Sequence, residues 1–449
     1  MKLKSLSLKN FRRFSSLDID FDDQITVINA RNGQGKTTIL DASTIALGTF
    51  VGAFDLGKSQ GIAKSDARKL RFDSAPDGES QFPVEISATL KNPSISIARK
   101  LTGLKNKTSV KDAEPLTRLG ESLQQQLRTS ADVTLPVIAY YGTGRLWRAH
   151  KNMQRKAVLS ESRTMGYEDC LSPDSSFTQV QQWMTKAHLA KLQQAEMPGV
   201  YGDSNLPQRI RCIQNAVDEV LALEGWSGFH YSVTYEELAM RHAETGVMPV
   251  SYLSDGVRSM VSLVADLAFR CARLNGHLGE QAAKLTEGIA FVDEVDMHLH
   301  PAWQQRVVQS LLNAFPKVQF IVTTHSPQVL SCVDARSVRR ITQQLDPETG
   351  LPISVVRDVP LQTKGVASAD ILARIMEVDP IPDVPEAHWL EQYHALIQQG
   401  LHADASGAQL RAKLDAHFGA QHPVMLECNR MIRLQDFKKR LPAFGGSTG

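Results

Sequence analysis

The chain has 449 residues, 42% hydrophobic and 22% charged, with a net charge of +2. That length allows a large core and two or three domains, or one domain with insertions, while the near-neutral balance excludes a globally basic nucleic-acid binder and makes any such surface local. The five cysteines, Cys170, Cys212, Cys271, Cys332 and Cys428, form no C-x-x-C pair, which argues against a disulfide framework or zinc ribbon and for a reducing, cytoplasmic setting.

The opening MKLKSLSLKNFRRF is too polar for a signal peptide, and no apolar run in the chain approaches the roughly 18 residues of a membrane span. Ile25, Val27 and Ile28 read as a short buried strand. Lys36 to Leu47 reads as a helix, with Ile39, Leu40, Ser43 and Leu47 at helical spacing. Between them lies NARNGQG, the strand-to-helix context that a phosphate loop requires. Gly33 and Gly35 would let backbone N–H groups curl around phosphate oxygens, and the helix N-terminus adds a favourable dipole. Asn32 and Gln34 complete the loop, Lys36 would reach the β- and γ-phosphates of ATP, the Thr37 hydroxyl would ligate Mg²⁺, and Thr38 would help hold the phosphates. Ala30 stands where the strict pattern has Gly; this is tolerable if the position keeps a negative φ. The competing reading is a glycine-rich turn with no ligand.

VEISATL (84–90) and SISIARKL (94–101) alternate apolar and polar residues and read as strands of an antiparallel lobe; residues 106–130 read as a polar loop. The apolar run Leu135–Tyr140 leads into G-T-G-R, where Arg145 could sense nucleotide. The basic stretch with Arg148, Lys151, Arg155 and Lys156 around Trp147 could contact nucleic acid or be a solvated surface. Residues 147 to about 225 read as a compact helical insert, clearest at 177–197.

In SYLSDGVRSMVSLVADLAFRC, Val257, Met260, Val261, Val264, Leu267 and Ala268 form a helical stripe, with Ser254 as N-cap and S-D-G as an anion site. GIAFVDEVDMHLHP reads as a parallel strand buried on both faces. Asp293 at its end would hold Mg²⁺ and Glu294 would polarise the attacking water, the two pointing to opposite faces of the strand. A metal site of His298 and His300 beside Asp293 is the rival reading. VQFIVTTHSPQVL is a further buried strand that would place His325 near the γ-phosphate, rather than leave it a solvated histidine. Beyond residue 345 four helices are expected. Their apolar residues, including Trp389, Tyr393, Leu396, Phe418, Met431 and Phe437, must pack on their own core or on a partner.

The order of phosphate loop, S-x-G helix, D-E strand and T-T-H-S resembles that of the ABC-type ATPases. LSLKNFRRFSSLDIDF resembles the opening of their RecF/SMC branch. The D-E-x-D-x-H-L-H-P form and PVIAYYGTGRLW are similar to the compact Septu-type defence ATPases and those beside retron reverse transcriptases. The resemblance implies an α/β ABC-type head, a mixed sheet with an antiparallel lobe, in two halves (1–146 and 229–345), with a helical insert (147–228) and a helical partner-docking extension (346–449). It places Arg12 near the nucleotide. It also implies a head-to-head dimer or higher oligomer in which Ser254 and Gly256 act in trans on the partner's ATP. Asp255 departs from the usual S-G-G, so its side chain should point away from phosphate. No heptad run of SMC scale is present. OLD-type relatives carry a D-x-D nuclease after the ATPase; no D-x-D follows His325, so no nuclease activity is expected of this chain. The implied function is a Mg²⁺-dependent ATPase acting as sensor and regulatory subunit of an antiphage defence complex. It would control a separate effector nuclease of the HNH type, with a retron reverse transcriptase and its nucleic acid as further partners. The alternative is a RecF-like repair ATPase that binds DNA directly.

Overall fold

A computed structural model describes residues 1–72, 75–146, 162–173, 177–197, 205–347, 350 and 352–440. The chain divides into two compact units, Met1–Ile371 and a second beginning at Leu372.

The first unit is built on a six-stranded sheet. Its order is Pro352–Asp358, Val338–Leu345, Ile25–Asn29, Val318–Thr324, Gly288–Val292, Val137–Tyr141. All neighbours pair in parallel except the first two, which form an antiparallel hairpin at the edge. The three strands Ile25–Asn29, Val318–Thr324 and Gly288–Val292 are buried at every position. That is why they read as continuous apolar runs rather than alternating ones. Their carboxyl ends line up: Asn29 pairs with Thr324, and Val292 with Val322. The phosphate loop, the acidic pair and His325 therefore leave the sheet at one edge, where open α/β sheets bind ligands.

The antiparallel lobe is a four-stranded sheet, in order Phe14–Asp20, Lys2–Phe11, Val84–Lys91, Ile95–Leu101. Its strands alternate buried and exposed positions, as the sequence suggested. A second small sheet, Trp226–Ser232, Glu237–His242 and Gly246–Pro249, leads into the helix Asp255–Leu274. Of the helical insert, the described part contains Phe177–Glu196 and Leu206–Leu221. Trp183 of the first is 1% exposed and packs on Phe269 of the Asp255–Leu274 helix, ring centroids 5.5 Å apart. The basic stretch around Trp147, from Trp147 to Lys156, lies outside the described residues, as does the side chain of Arg145.

Two expectations are corrected. Residues 114–127 are a helix, not a loop. Leu116, Leu119, Leu123 and Leu127 recur every three or four residues on one face, and Gly120 lets that face approach helix Lys36–Val51: a Cβ there would stand 2.9 Å from the Phe50 carbonyl oxygen. The polar composition had masked the stripe. The sheet also continues past residue 345, because Val338–Leu345 pairs residue for residue with Pro352–Asp358.

The second unit contains the helices Pro385–Gln399, Ala405–Phe418 and Pro423–Arg440. They close around Tyr393, Ile397, Leu414, Met425 and Cys428, with Trp389, Leu390, Leu410, Phe418, Met431 and Ile432 packed against them. So these helices have a core of their own, and Phe437 stays exposed. Leu414→Ala should lower the stability of this unit by about 2–5 kcal/mol and leave ATP affinity unchanged, as read by denaturant melts and nucleotide titration.

Candidate nucleotide site

Ala30 is buried and keeps a negative φ, so the missing glycine costs no strain. Gly33 and Gly35 carry the positive φ angles, 72° and 93°. Gly35 is the N-cap of the 16-residue helix Lys36–Val51, which begins without any side-chain cap. Its first N–H groups thus remain available to an anion. Asn32 is exposed at the apex of the loop, and Gln34 closes it by accepting from the Arg31 N–H through Oε1. Lys36 is 7% exposed; its Nζ donates to the Ala30 carbonyl at 3.1 Å and contacts His325 Nε2. Burial lowers its pKa, opposed by Asp293, Glu294 and Asp296. The lysine thus sits where the loop, the acids and His325 converge, in reach of a phosphate held by the loop. Thr38 is buried behind it.

Asp293 joins the phosphate-loop helix to two neighbouring strand ends. Its Oδ2 accepts from Thr37 Oγ1 at 2.7 Å, its Oδ1 from Thr323 Oγ1 at 2.5 Å, and its backbone N–H donates to the Tyr141 carbonyl at 2.8 Å. Thr323 Oγ1 also accepts from the Glu294 N–H at 2.8 Å. The strand stops at Val292, so strand alternation is not what separates the two acids. Glu294 instead takes φ 49°, unusual for a side-chain-bearing residue. The Thr37 hydroxyl and Asp293 carboxylate are oxygen donors suited to a hard cation, so this pair could hold Mg²⁺.

The residues after the acids are equally fixed. Thr324 Oγ1 donates to Asp296 at 2.5 Å and accepts from the Ser326 N–H at 2.9 Å, which sets His325 between two anchored neighbours. Burial, then Lys36, lowers the His325 pKa. The imidazole is therefore neutral near pH 7. His300 caps the short helix Pro301–Gln304 through its side chain, and no group of three metal-binding side chains occurs among the described residues.

Ser254 occupies the N-cap position of Asp255–Leu274 but its side chain makes no capping bond; the residue is exposed. Asp255 pairs with Arg258, 2.7 Å away. Gly256 is buried against the loop after the acids: a Cβ there would stand 2.4 Å from the His298 carbonyl oxygen.

Arg12 lies beside helix Lys36–Val51, but its guanidinium is engaged: Nη1 donates to Asp41 at 2.5 Å and Nε to Asp66 at 2.9 Å. Tyr140 OH donates to the other oxygen of Asp41 at 2.8 Å. Sequence reasoning missed the roles of Thr323 and Asp41. The T-T pair before His325 gave a local signal for the first; the second becomes visible only when distant segments meet.

Residues 5–219 match a family described as "AAA domain", and residues 206–331 match one described as "AAA domain, putative AbiEii toxin, Type IV TA system". The "Retron Ec83 probable ATPase" of Escherichia coli is 23% identical over 98% of this chain and 89% of its own length. The "Retron Vc95 probable ATPase" of Vibrio cholerae is 26% identical over 89% and 84%. The Septu protein PtuA of Bacillus mycoides is 40% identical over 21% of this chain and 12% of its own. Together with the strand-end geometry, these matches decide the activity and the fold. The chain is an ATPase with an ABC-type head, similar to those of the RecF/SMC branch. The ATPase keeps that fold's mixed sheet and antiparallel lobe, and it binds nucleotide.

Two outcomes are expected. Lys36→Ala should abolish ATP binding in calorimetry. Thr323→Val, which keeps the shape of Thr but removes the link between Asp293 and the Glu294 backbone, should slow turnover about 10- to 100-fold with a smaller change in ATP affinity.

Proposed function

We propose that this ATPase is the regulatory subunit of an antiphage defence complex, in which its nucleotide state controls a separate effector nuclease, of the HNH type. The observation that carries this is the match to two retron ATPases over 98% and 89% of this chain, the first of them long enough to take in the C-terminal helices. The exposed Leu426, Leu434 and Phe437 on helix Pro423–Arg440 suit a docking role.

In this reading the residues divide the work as follows. The loop from Asn32 to Gly35, with Lys36 and Thr38, holds the phosphates. Thr37 and Asp293 hold Mg²⁺, which neutralises phosphate charge when bound. Glu294 takes the proton of the attacking water, and neutral His325 holds the γ-phosphate oxygens by hydrogen bonding. Exposed Ser254, with Gly256 at its side, covers the γ-phosphate of a second copy, so ATP closes a head-to-head dimer.

The ATPase purified from its native locus with ATP present should carry a stoichiometric nuclease, identified by mass spectrometry. A clean homo-oligomer that retains DNA in a salt-sensitive manner would instead favour the RecF-like reading. Glu294→Gln should bind ATP normally, hydrolyse it about 10²- to 10⁴-fold more slowly, and sediment as a dimer only with ATP. Wild-type turnover in that variant would remove Glu294 as the base.

A further inference from the structure

The turn between the strands Lys2–Phe11 and Phe14–Asp20 presents two arginines beside the phosphate loop, and their surroundings differ. Phe11 and Phe14 pair across the turn and are both 0% exposed, which fixes where Arg12 and Arg13 emerge. Arg12 takes φ 49° and is saturated by Asp41 and Asp66. Arg13 is not: its Nε is buried without an acceptor, and no carboxylate offsets the desolvation that pulls its pKa down.

Gly35 shows where that side chain runs. A Cβ on Gly35 would stand 2.5 Å from the Phe14 ring and 2.9 Å from Arg13 Cδ. The stem of Arg13 thus lies along the left-handed residue that caps helix Lys36–Val51. A half-buried guanidinium with an unmet donor is unfavourable until an anion reaches it. The anion this loop is shaped to receive is a phosphate.

We infer that Arg13, rather than Arg12, supplies the arginine contact to the phosphate chain of the bound nucleotide. Arg12 instead fastens the antiparallel lobe to the phosphate-loop helix through Asp41. This rests on the nucleotide-site reading of Val27–Ser43. The bland alternative is that Arg13 acts only through its apolar stem, packed on Phe14 and Gly35.

Arg13→Met keeps a stem and removes the charge, so it separates the two. ATP titrations and thermal melts would be run on wild type, Arg13→Met, Arg13→Lys and Lys36→Ala. Arg13→Met should weaken ATP binding at least about tenfold, the range of a hydrogen bond to a charged group, with an unchanged Tm. Arg13→Lys should recover part of the loss. Wild-type ATP affinity in Arg13→Met, with binding lost in Lys36→Ala, would overturn the Arg13 role alone. A lowered Tm with equal weakening in Arg13→Met and Arg13→Lys would mark packing and overturn it too. Normal affinity in Lys36→Ala would sink the nucleotide site beneath it.

Discussion

The carboxylate of Asp293 is the point on which the site depends. It accepts from Thr37 on the phosphate-loop helix and from Thr323 on the neighbouring strand, while its own N–H is held by Tyr141 on the strand to the other side. Three segments remote in sequence are thereby registered to within a hydrogen bond. Such a carboxylate, 3% exposed, is stable only because its oxygens are met by donors. The parallel sheet makes this possible. Pairing in parallel brings carboxyl ends to one edge, and continuous apolar strands bury the sheet deeply enough to hold that edge still.

From Asp293 the constraint spreads in two directions. Through Thr323 it reaches the Glu294 N–H, which fixes the backbone where that residue takes its positive φ. Through Tyr141 it reaches the Asp255–Leu274 helix: the Tyr141 hydroxyl donates to Asp266 at 2.8 Å, and Asp266 pairs with Arg270 at 2.7 Å, both acid and base almost fully buried. Arg270 in turn donates to the carbonyls of Gly166 and Glu168. The chain of contacts ties the centre of the site to the helix that presents Ser254 and to the start of the helical insert. A buried pair of this kind is strongly destabilising to break on one side, so these elements are held in one arrangement.

The phosphate loop, the acidic strand, the His325 strand and the helix after Ser254 were legible in the sequence because each is a local pattern: a β-branched run, a glycine pair, a polar strand end, a helical stripe. The antiparallel strands 84–90 and 94–101 were legible from alternation. What was not legible was pairing between distant segments. Nothing near Thr323 announces that it bridges Asp293 and Glu294. Nothing in N-F-R-R says which arginine meets carboxylates and which meets the loop, because Asp41 and Asp66 lie 29 and 54 residues away from Arg12. The helix 114–127 was hidden by polar composition, although its leucine spacing was present. The hairpin that extends the sheet to Asp358 was lost because its second strand, PISVVRD, begins with Pro and ends in charge.

The most direct test of this account is a crystal structure with Mg²⁺ and a non-hydrolysable ATP analogue. Lys36 should leave the Ala30 carbonyl and His325 for the phosphates, with Mg²⁺ held by Thr37 and Asp293. A nucleotide bound elsewhere, with the Thr37–Asp293 hydrogen bond intact, would contradict it.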